Sequence, residues 1–202
     1  MKSLKMLALA AIAALGLMAF VGAGTASATT LCKTSGVNPC PTAWDWPVGT
    51  SIHITLQSGK RATLTSPAGT VVATCETLTV TADTEQTSAP VITAPIHTLD
   101  WSKCNTTVTN IATGKLTTKW LKGNEAEVTS DGTKVTVVLG GVSCTYSTGE
   151  GTKLGTFVGG EKPTMKIETK VKKAEGSFLC PSEPVWDAEV EITEPTPLYP
   201  TE

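Results

Sequence analysis

Ionisable and aromatic side chains are scarce in this 202-residue chain. Charged residues make up 17% of it and aromatic residues 5%, and there are two histidines. The formal net charge is −2, so the chain offers no strongly basic surface for nucleic acid or anionic lipid. Few histidines also mean few candidate general bases and metal ligands. The composition therefore argues against a nucleic-acid partner.

Motifs that mark common active sites and metal sites are missing as well. There is no G-x-S-x-G, no H-E-x-x-H, no phosphate-binding glycine loop and no Cys-x-x-Cys. His53 and His97 lie near no pair of cysteines, and His53 occupies a polar position in an alternating segment. A Ser/His/Asp triad has no supporting spacing around either histidine. The sequence thus predicts no catalytic residue.

Acidic residues offer two weaker alternatives. Asp187, Glu189 and Glu191 share one strand face and could act as the paired carboxylates of a glycosidase, but such carboxylates are more often solvated or paired with lysines. Loop oxygens near Asp83 and Asp131 could bind calcium, yet neither loop has dense acidic spacing. We therefore predict no metal, no cofactor and no enzymatic activity. A hydrolase with an unrecognised site is the second alternative.

One long apolar run lies near the N-terminus, at residues 6–24. Lysines precede it, and Ala-Ser-Ala follows, ending at Ala28. A positive start, an apolar centre and an A-x-A site predict a signal peptide over residues 1–28. A retained membrane anchor is the alternative, because the run nearly suffices to span a bilayer. We predict a secreted, extracellular or cell-surface protein with no membrane span after cleavage and a single domain over residues 29–202.

All six cysteines follow the predicted cleavage site. An even number of cysteines in an exported chain predicts three disulfides. Six cysteines allow about 15 pairings, which sequence alone does not distinguish. We favour the sequential one, Cys32–Cys40, Cys75–Cys104 and Cys144–Cys180.

Apolar residues after residue 28 alternate with a period of two and show no helical period. The densest β-branched run is residues 134–146, predicted to be a central strand. Asp131-Gly132 predicts a hairpin between residues 125–130 and 133–139, and Ala112-Thr113-Gly114 predicts another. About ten short strands indicate an all-β protein, an antiparallel β-sandwich, with a closed β-barrel as the alternative.

Two further strands have complementary charges. Lysines alternate with apolar residues over residues 165–172, and acidic residues do so over residues 186–193. Their outward faces predict that the two strands pair and form cross-strand ion pairs.

Five tryptophans stand out in a chain with so few aromatic residues. Trp101, Trp120 and Trp186 fall in predicted strands and are expected in the core. Trp44 and Trp46 lie in a proline-flanked loop and are the candidate ligand-binding residues, because flat indole rings suit a sugar or a protein partner. The alternative, which we favour, is that they cap one end of the domain.

Three further segments are TTLCKT after the signal, GGVSCTY at residues 140–146 and the ending LCPSEPVWDAEVEIT. In these segments the chain resembles a group of uncharacterised secreted bacterial β-rich proteins with paired cysteines. The resemblance implies an exported β-domain and assigns no site. We expect a non-enzymatic exported β-domain, structural or ligand-binding. A carbohydrate- or protein-binding module using Trp44 and Trp46 on a cell-surface glycan or protein is the alternative.

Overall fold

The computed structural model describes residues 27–202, and within them the chain is almost entirely β-structure. The predicted signal segment, apart from Ser27 and Ala28, lies outside the described residues. The one helical element described is a three-residue 3-10 turn, Thr42–Trp44. The strands are β1 (Thr29–Cys32), β2 (Ser51–Leu56), β3 (Ala62–Thr65), β4 (Val71–Asp83), β5 (Ser88–Ala89), β6 (Ile92–Cys104), β7 (Val108–Ala112), β8 (Lys115–Lys122), β9 (Glu125–Asp131), β10 (Lys134–Leu139), β11 (Val142–Ser147), β12 (Thr152–Val158), β13 (Thr164–Lys170), β14 (Lys172–Glu175), β15 (Val185–Glu194) and β16 (Tyr199–Thr201).

The largest sheet closes on itself as a barrel with eight strand positions. Around the wall the order is β13, β12, β9, β8, β6, β4, β2 and β15, and β15 pairs with β13 to complete the circle. β3 shares the position of β2, because both pair with β4 and β15. The all-β prediction is therefore confirmed, and the closed barrel is the arrangement found. More than ten strands are described, because β1, β3, β5, β14 and β16 are too short to show alternation.

A second sheet has the order β14, β11, β10, β7. The run at residues 134–146 supplies its two inner strands, β10 and β11, so its central position is within this smaller sheet. Gly140 and Gly141 join them with φ angles of 56° and 85°. Two successive positive φ angles match the tight turn that suits twisted hairpins, and glycine reaches them without steric cost.

The two hairpins predicted at Asp131-Gly132 and Ala112-Thr113-Gly114 are wrong. β9 pairs with β8 and β12 in the barrel, whereas β10 pairs with β11 and β7 in the smaller sheet. β7 and β8 are likewise in different sheets. The turn residues are present, but each turn carries the chain from one sheet to the other. The two crossings touch: a Cβ on Gly114 would lie 2.3 Å from the Asp131 carbonyl oxygen.

The strands predicted to pair through opposite charges do pair, but their ion pairs differ. Lys166 lies opposite Glu189 in the β13–β15 register. Its Nζ instead contacts Glu168 Oε2 on its own strand at 2.8 Å, while Glu189 Oε2 lies 2.9 Å from Lys60 Nζ. An exposed ion pair contributes little free energy, and a long side chain on a strand face can reach several partners. The strand register therefore does not determine which ion pair forms.

Each end of the barrel is covered by other strands. β16, β1 and β5 form a three-stranded sheet at one end, where Leu31 and Leu198 join the barrel core. At the other end the four-stranded sheet packs a second apolar cluster, including Val137 and Tyr146, against barrel residues such as Ala73. The barrel interior itself is filled by side chains such as Leu78 and Val190, each 1% exposed.

All three predicted disulfides are present. The Sγ atoms are 2.05 Å apart in Cys32–Cys40 and 1.99 Å apart in both Cys75–Cys104 and Cys144–Cys180. Cys75 and Cys104 face each other across β4 and β6. Cys144–Cys180 links β11 to the loop that precedes β15. Because β15 belongs to the barrel, this disulfide connects the smaller sheet to the barrel.

Among the described residues, no helix is both long enough and apolar enough to cross a membrane.

Candidate functional site

An apolar cavity of about 80 Å³ lies between the barrel and the four-stranded sheet. We call it the inter-sheet cavity. Strands β3, β4, β6 and β15 contribute one wall, and β7, β10 and β11 contribute the other. Its lining includes Ala62, Ala73, Trp101, Val137, Tyr146 and Trp186.

The cavity arises where β4 changes the side on which it is buried. Ala73 and Cys75 are buried on one side of the strand, whereas Leu78 and Val80 are buried on the other. The first pair therefore belongs to the wall beneath the smaller sheet. Ala73 and Ala62, which lies opposite Cys75 on β3, are small, so space is left between the two layers.

Two tryptophans stand together in the cavity wall. Trp101 on β6 and Trp186 on β15 have ring centroids 5.6 Å apart and an interplanar angle of 66°. An edge-to-face pair of this kind contributes about 0.5–1.5 kcal/mol beyond area burial. The contact between the two rings therefore restricts their orientation in the cavity wall.

Three residues that line this cavity each carry a buried polar atom without a hydrogen-bond partner. These atoms are the indole Nε1 atoms of Trp101 and Trp186 and the hydroxyl of Tyr146. Most buried polar atoms in proteins are hydrogen-bonded, because an unpaired one costs about 1–3 kcal/mol. The other such atoms described, on Asp45 and Asn110, belong to residues outside the cavity lining. The unpaired groups described are therefore concentrated in residues of the cavity lining.

The cavity lining carries no charge. Its residues are alanine, valine, leucine, threonine, serine, tryptophan, tyrosine and the disulfide-bonded Cys75. Tyr146 is the one titratable side chain among them, and burial raises the pKa of its hydroxyl. At neutral pH the hydroxyl is protonated and can donate a hydrogen bond.

The raised pKa of Tyr146 predicts a loss of stability in alkali. Below pH 10 both the folded and the unfolded chain keep the phenolic proton, so Tyr146 has no pH-dependent effect there. Above pH 10 the unfolded chain releases the proton first, and the free energy of unfolding falls by up to about 1.4 kcal/mol per pH unit until the folded-state pKa is reached. Urea unfolding at pH 8 and pH 11 should show a smaller loss in Tyr146→Phe than in the wild type. An equal loss would contradict this account.

Three other cavities among residues 27–202 are smaller or lie at the surface. Two apolar cavities of about 40 and 30 Å³ follow one another inside the barrel. A recess of about 330 Å³ lies at the opposite end, between the Cys32–Cys40 loop and the turn joining β8 to β9. Its lining includes the exposed residues Ser35, Gly36 and Asn38, so it is a surface groove without a dry interior.

The two predicted ligand-binding tryptophans occupy different environments. Trp44 is 47% exposed. Trp46 packs against the barrel core, its Nε1 donates to the Pro197 carbonyl at 3.2 Å, and Lys33 Nζ lies 4.9 Å from its ring centroid. The structure therefore brings one indole to the surface and fixes the other beneath it.

The three tryptophans expected in the core also differ from one another. Trp101 and Trp186 pack against the barrel core and are partly buried. Trp120 is partly buried outside the two described core clusters, with its Nε1 donating to the Gly123 carbonyl at 3.0 Å. Its expected core position is therefore wrong, because β8 turns that side chain toward the turn at Gly123 rather than the interior.

Both histidines lie on the outside with carboxylate neighbours. His97 Nε2 is 2.9 Å from Asp83 Oδ2, and His53 Nε2 is 3.8 Å from Glu194 Oε2. All four side chains are more than 40% exposed. No hydrogen bond in the described part of the chain joins either ring to a serine, and no group of three or more potential metal ligands is found there.

No family model, curated protein or solved structure matches this chain. No residue therefore acquires a role by comparison, and the candidate site rests on the geometry of the inter-sheet cavity. Sequence patterns had placed Trp101, Trp186 and Tyr146 on apolar faces. They carried no signal that these faces would meet around one cavity.

Proposed function

We propose that this protein is a secreted, non-enzymatic β-barrel that binds one small, largely apolar molecule in the inter-sheet cavity. The observation that carries the proposal is a preformed apolar cavity whose lining carries no charge. Ligand sites are typically apolar concavities with a few placed polar groups. An eight-stranded barrel has an interior that side chains just fill, so space for a ligand arises more readily where a second layer packs against it.

Secretion is supported by two independent features. The N-terminal segment has the pattern of a signal peptide. Three disulfides persist in oxidising compartments and are rare in the cytosol. Disulfides also stiffen the two layers that enclose the cavity, which favours a binding site that exists before the ligand arrives.

A second candidate function is recognition of a glycan or a protein at Trp44. The exposed ring favours it, because an accessible indole is a common anchor in recognition. It has narrower support, since Trp46 packs inward and leaves a single ring at this surface.

Filling the inter-sheet cavity should abolish ligand binding without unfolding the protein. Ala73 is 5% exposed in the cavity wall, and a leucine there adds three carbon atoms to the free space. With xenon, which is smaller than benzene, as an apolar probe, we expect the wild-type melting temperature to rise with probe concentration and the Ala73→Leu protein to show no such rise. We expect its ligand-free stability to remain within about 1.5 kcal/mol of the wild type.

Ala174→Leu is the matched control, because Ala174 lies exposed on β14, away from the cavity. It should respond to the probe as the wild type does. A wild-type protein whose melting temperature is insensitive to the probe, or an Ala73→Leu protein that responds fully, would refute the proposed function.

A further inference from the structure

We propose that the surface groove beside the Cys32–Cys40 loop is a second binding site, which takes one neutral sugar unit. We call it the loop groove. Residues 35–38 of the disulfide-closed loop and the Gly123-Asn124 turn form its walls, and residues 199–201 of β16 complete its lining. At about 330 Å³ it is larger than the other three cavities described above and lies in the range of about 300–1,000 Å³ typical of small-molecule sites.

The loop groove has polar side chains that are open to solvent on both walls. Ser35 and Asn38 on the loop and Asn124 on the turn are exposed. Asn124 Nδ2 donates to the Gly159 carbonyl at 2.6 Å, and Asn38 Nδ2 lies 3.5 Å from Glu202 Oε2. These contacts orient both amides. Among residues 27–202 the side-chain oxygen of neither amide accepts a hydrogen bond, so each amide keeps an acceptor and a second N–H for a ligand.

A sugar matches this combination of groups. A hydroxyl both donates and accepts, so neighbouring hydroxyls of a sugar ring can pair with the N–H and the oxygen of an amide. A sugar ring also has an apolar C–H face, and Val37, Tyr199 and Pro200 supply apolar lining for it. The volume is near the lower end of the range for ligand sites, which indicates a single sugar unit.

The charge of the ligand follows from the surroundings of the loop groove. No charged residue lines it, so an anion would find no cation there to offset its lost hydration. Lys122, next to the Gly123 turn, is paired with Glu125 at 3.9 Å. The Glu202 carboxylate beside Asn38 adds a negative charge at the rim. The sugar is therefore neutral, and sugar acids and sugar phosphates are disfavoured.

The edge of β16 disfavours an extended peptide as the ligand. Leu198 exchanges backbone hydrogen bonds with Gly160, at N–O distances of 2.9 and 3.1 Å, so residues 198 and 200 turn their backbone groups to that edge. Pro200 has no N–H to donate to an added strand. Gly159 also packs against it, because a Cβ there would lie 2.5 Å from Pro200 Cδ. A compact ligand therefore fits the loop groove better than a strand does.

Titration with glucose, galactose, mannose and N-acetylglucosamine would test the proposal in nitrogen-15 spectra. We expect at least one of them to move the side-chain amide signals of Asn38 and Asn124 to saturation. Glucuronate and acetyl-trialanine-amide should not do so. The Asn105 signal is the internal control, because Asn105 is exposed but outside the lining, where its Oδ1 accepts from the Thr74 amide at 2.8 Å. The methyl glycoside of the best sugar separates the sources: equal affinity indicates the end of a glycan, and a tenfold loss indicates a free sugar.

Variants connect the signals to the loop groove. Asn38→Ala should weaken sugar binding about fivefold, because one hydrogen-bonding side chain is lost, whereas Asn105→Ala should leave the affinity unchanged. Ser35→Trp should abolish binding, since a large ring on an exposed loop position fills the groove without disturbing the core. Ala73→Leu, which fills the inter-sheet cavity, should bind the sugar as the wild type does.

The outcomes separate this inference from the proposed function. It is overturned if none of the four sugars moves the two amide signals, if glucuronate or the peptide binds as tightly, or if Asn38→Ala and Ser35→Trp both keep wild-type affinity. Saturable shifts that Asn38→Ala weakens and Asn105→Ala does not would support it. The response to xenon decides the proposed function in either case, because the two sites share no lining residue.

Discussion

Replacing both Cys144 and Cys180 with alanine should lower the free energy of unfolding by about 4 kcal/mol. The disulfide closes a segment with a sequence separation of 36 residues, and the entropy that such a crosslink removes from the unfolded chain grows with loop length. Both side chains are buried in the second apolar cluster, at 0% and 3% exposure. Since this cluster adjoins the inter-sheet cavity, we also expect probe binding to be lost.

Thermal unfolding followed by circular dichroism would measure the effect, with a melting temperature lower by about 8–16 °C. The Cys32→Ala/Cys40→Ala pair is the matched control, because its sequence separation is 8 residues and its expected loss is about 2.5 kcal/mol. A smaller loss for the Cys144–Cys180 pair than for the control would show that the bond does not hold the smaller sheet in place.

Gly155→Ala should lower the free energy of unfolding by about 3 kcal/mol or more. Gly155 lies in the barrel wall on β12, opposite Ile167 on β13. A Cβ atom there would lie 2.0 Å from the Lys166 carbonyl oxygen. Because that oxygen belongs to the backbone of the paired strand, no side-chain rotation relieves the contact, and the two strands must separate. Closure of the barrel depends on the β12–β13 and β13–β15 pairs, so the damage reaches the whole wall.

Urea unfolding of the purified protein would test this, with Gly149→Ala as the control. A Cβ on Gly149 would meet its nearest atom, Thr152 Oγ1, at 3.9 Å, which is ordinary contact, so we expect a change of less than about 0.5 kcal/mol. If Gly155→Ala unfolds at the same urea concentration as Gly149→Ala, β12 and β13 do not approach as closely as described. A protein that fails to accumulate in folded form agrees with the expected clash.

Charge and register show how far local patterns extend. The alternation at residues 165–172 and 186–193 correctly predicted that β13 and β15 pair, because complementary faces favour adjacent strands. The same alternation did not identify the partner of Glu189, which is Lys60 from the segment between β2 and β3. Because Lys60 belongs to a third segment, the sequences of β13 and β15 contain no signal that predicts its contact with Glu189.

Local sequence patterns predicted even less of the candidate site. Apolar positions at Tyr146, Trp101 and Trp186 were visible as members of strand faces. A cavity is the volume that remains after layers have packed, and it depends on the small residues Ala62 and Ala73 as much as on the large ones. The remaining space does not follow from any one segment.

The sequence by itself determined the all-β class, the face of many strands that is buried and the number of disulfides. These features depend on the period of two along a strand and on the even number of cysteines. Which cysteines pair was decided by the tertiary structure. Tertiary structure alone decided that the main sheet closes and that the turns at Gly114 and Gly132 carry the chain between sheets. It also decided that the layers leave a cavity between them. The physical reason is that a strand presents the same hydrogen-bonding edge to any neighbour, so the choice of neighbour depends on packing among segments distant in the chain.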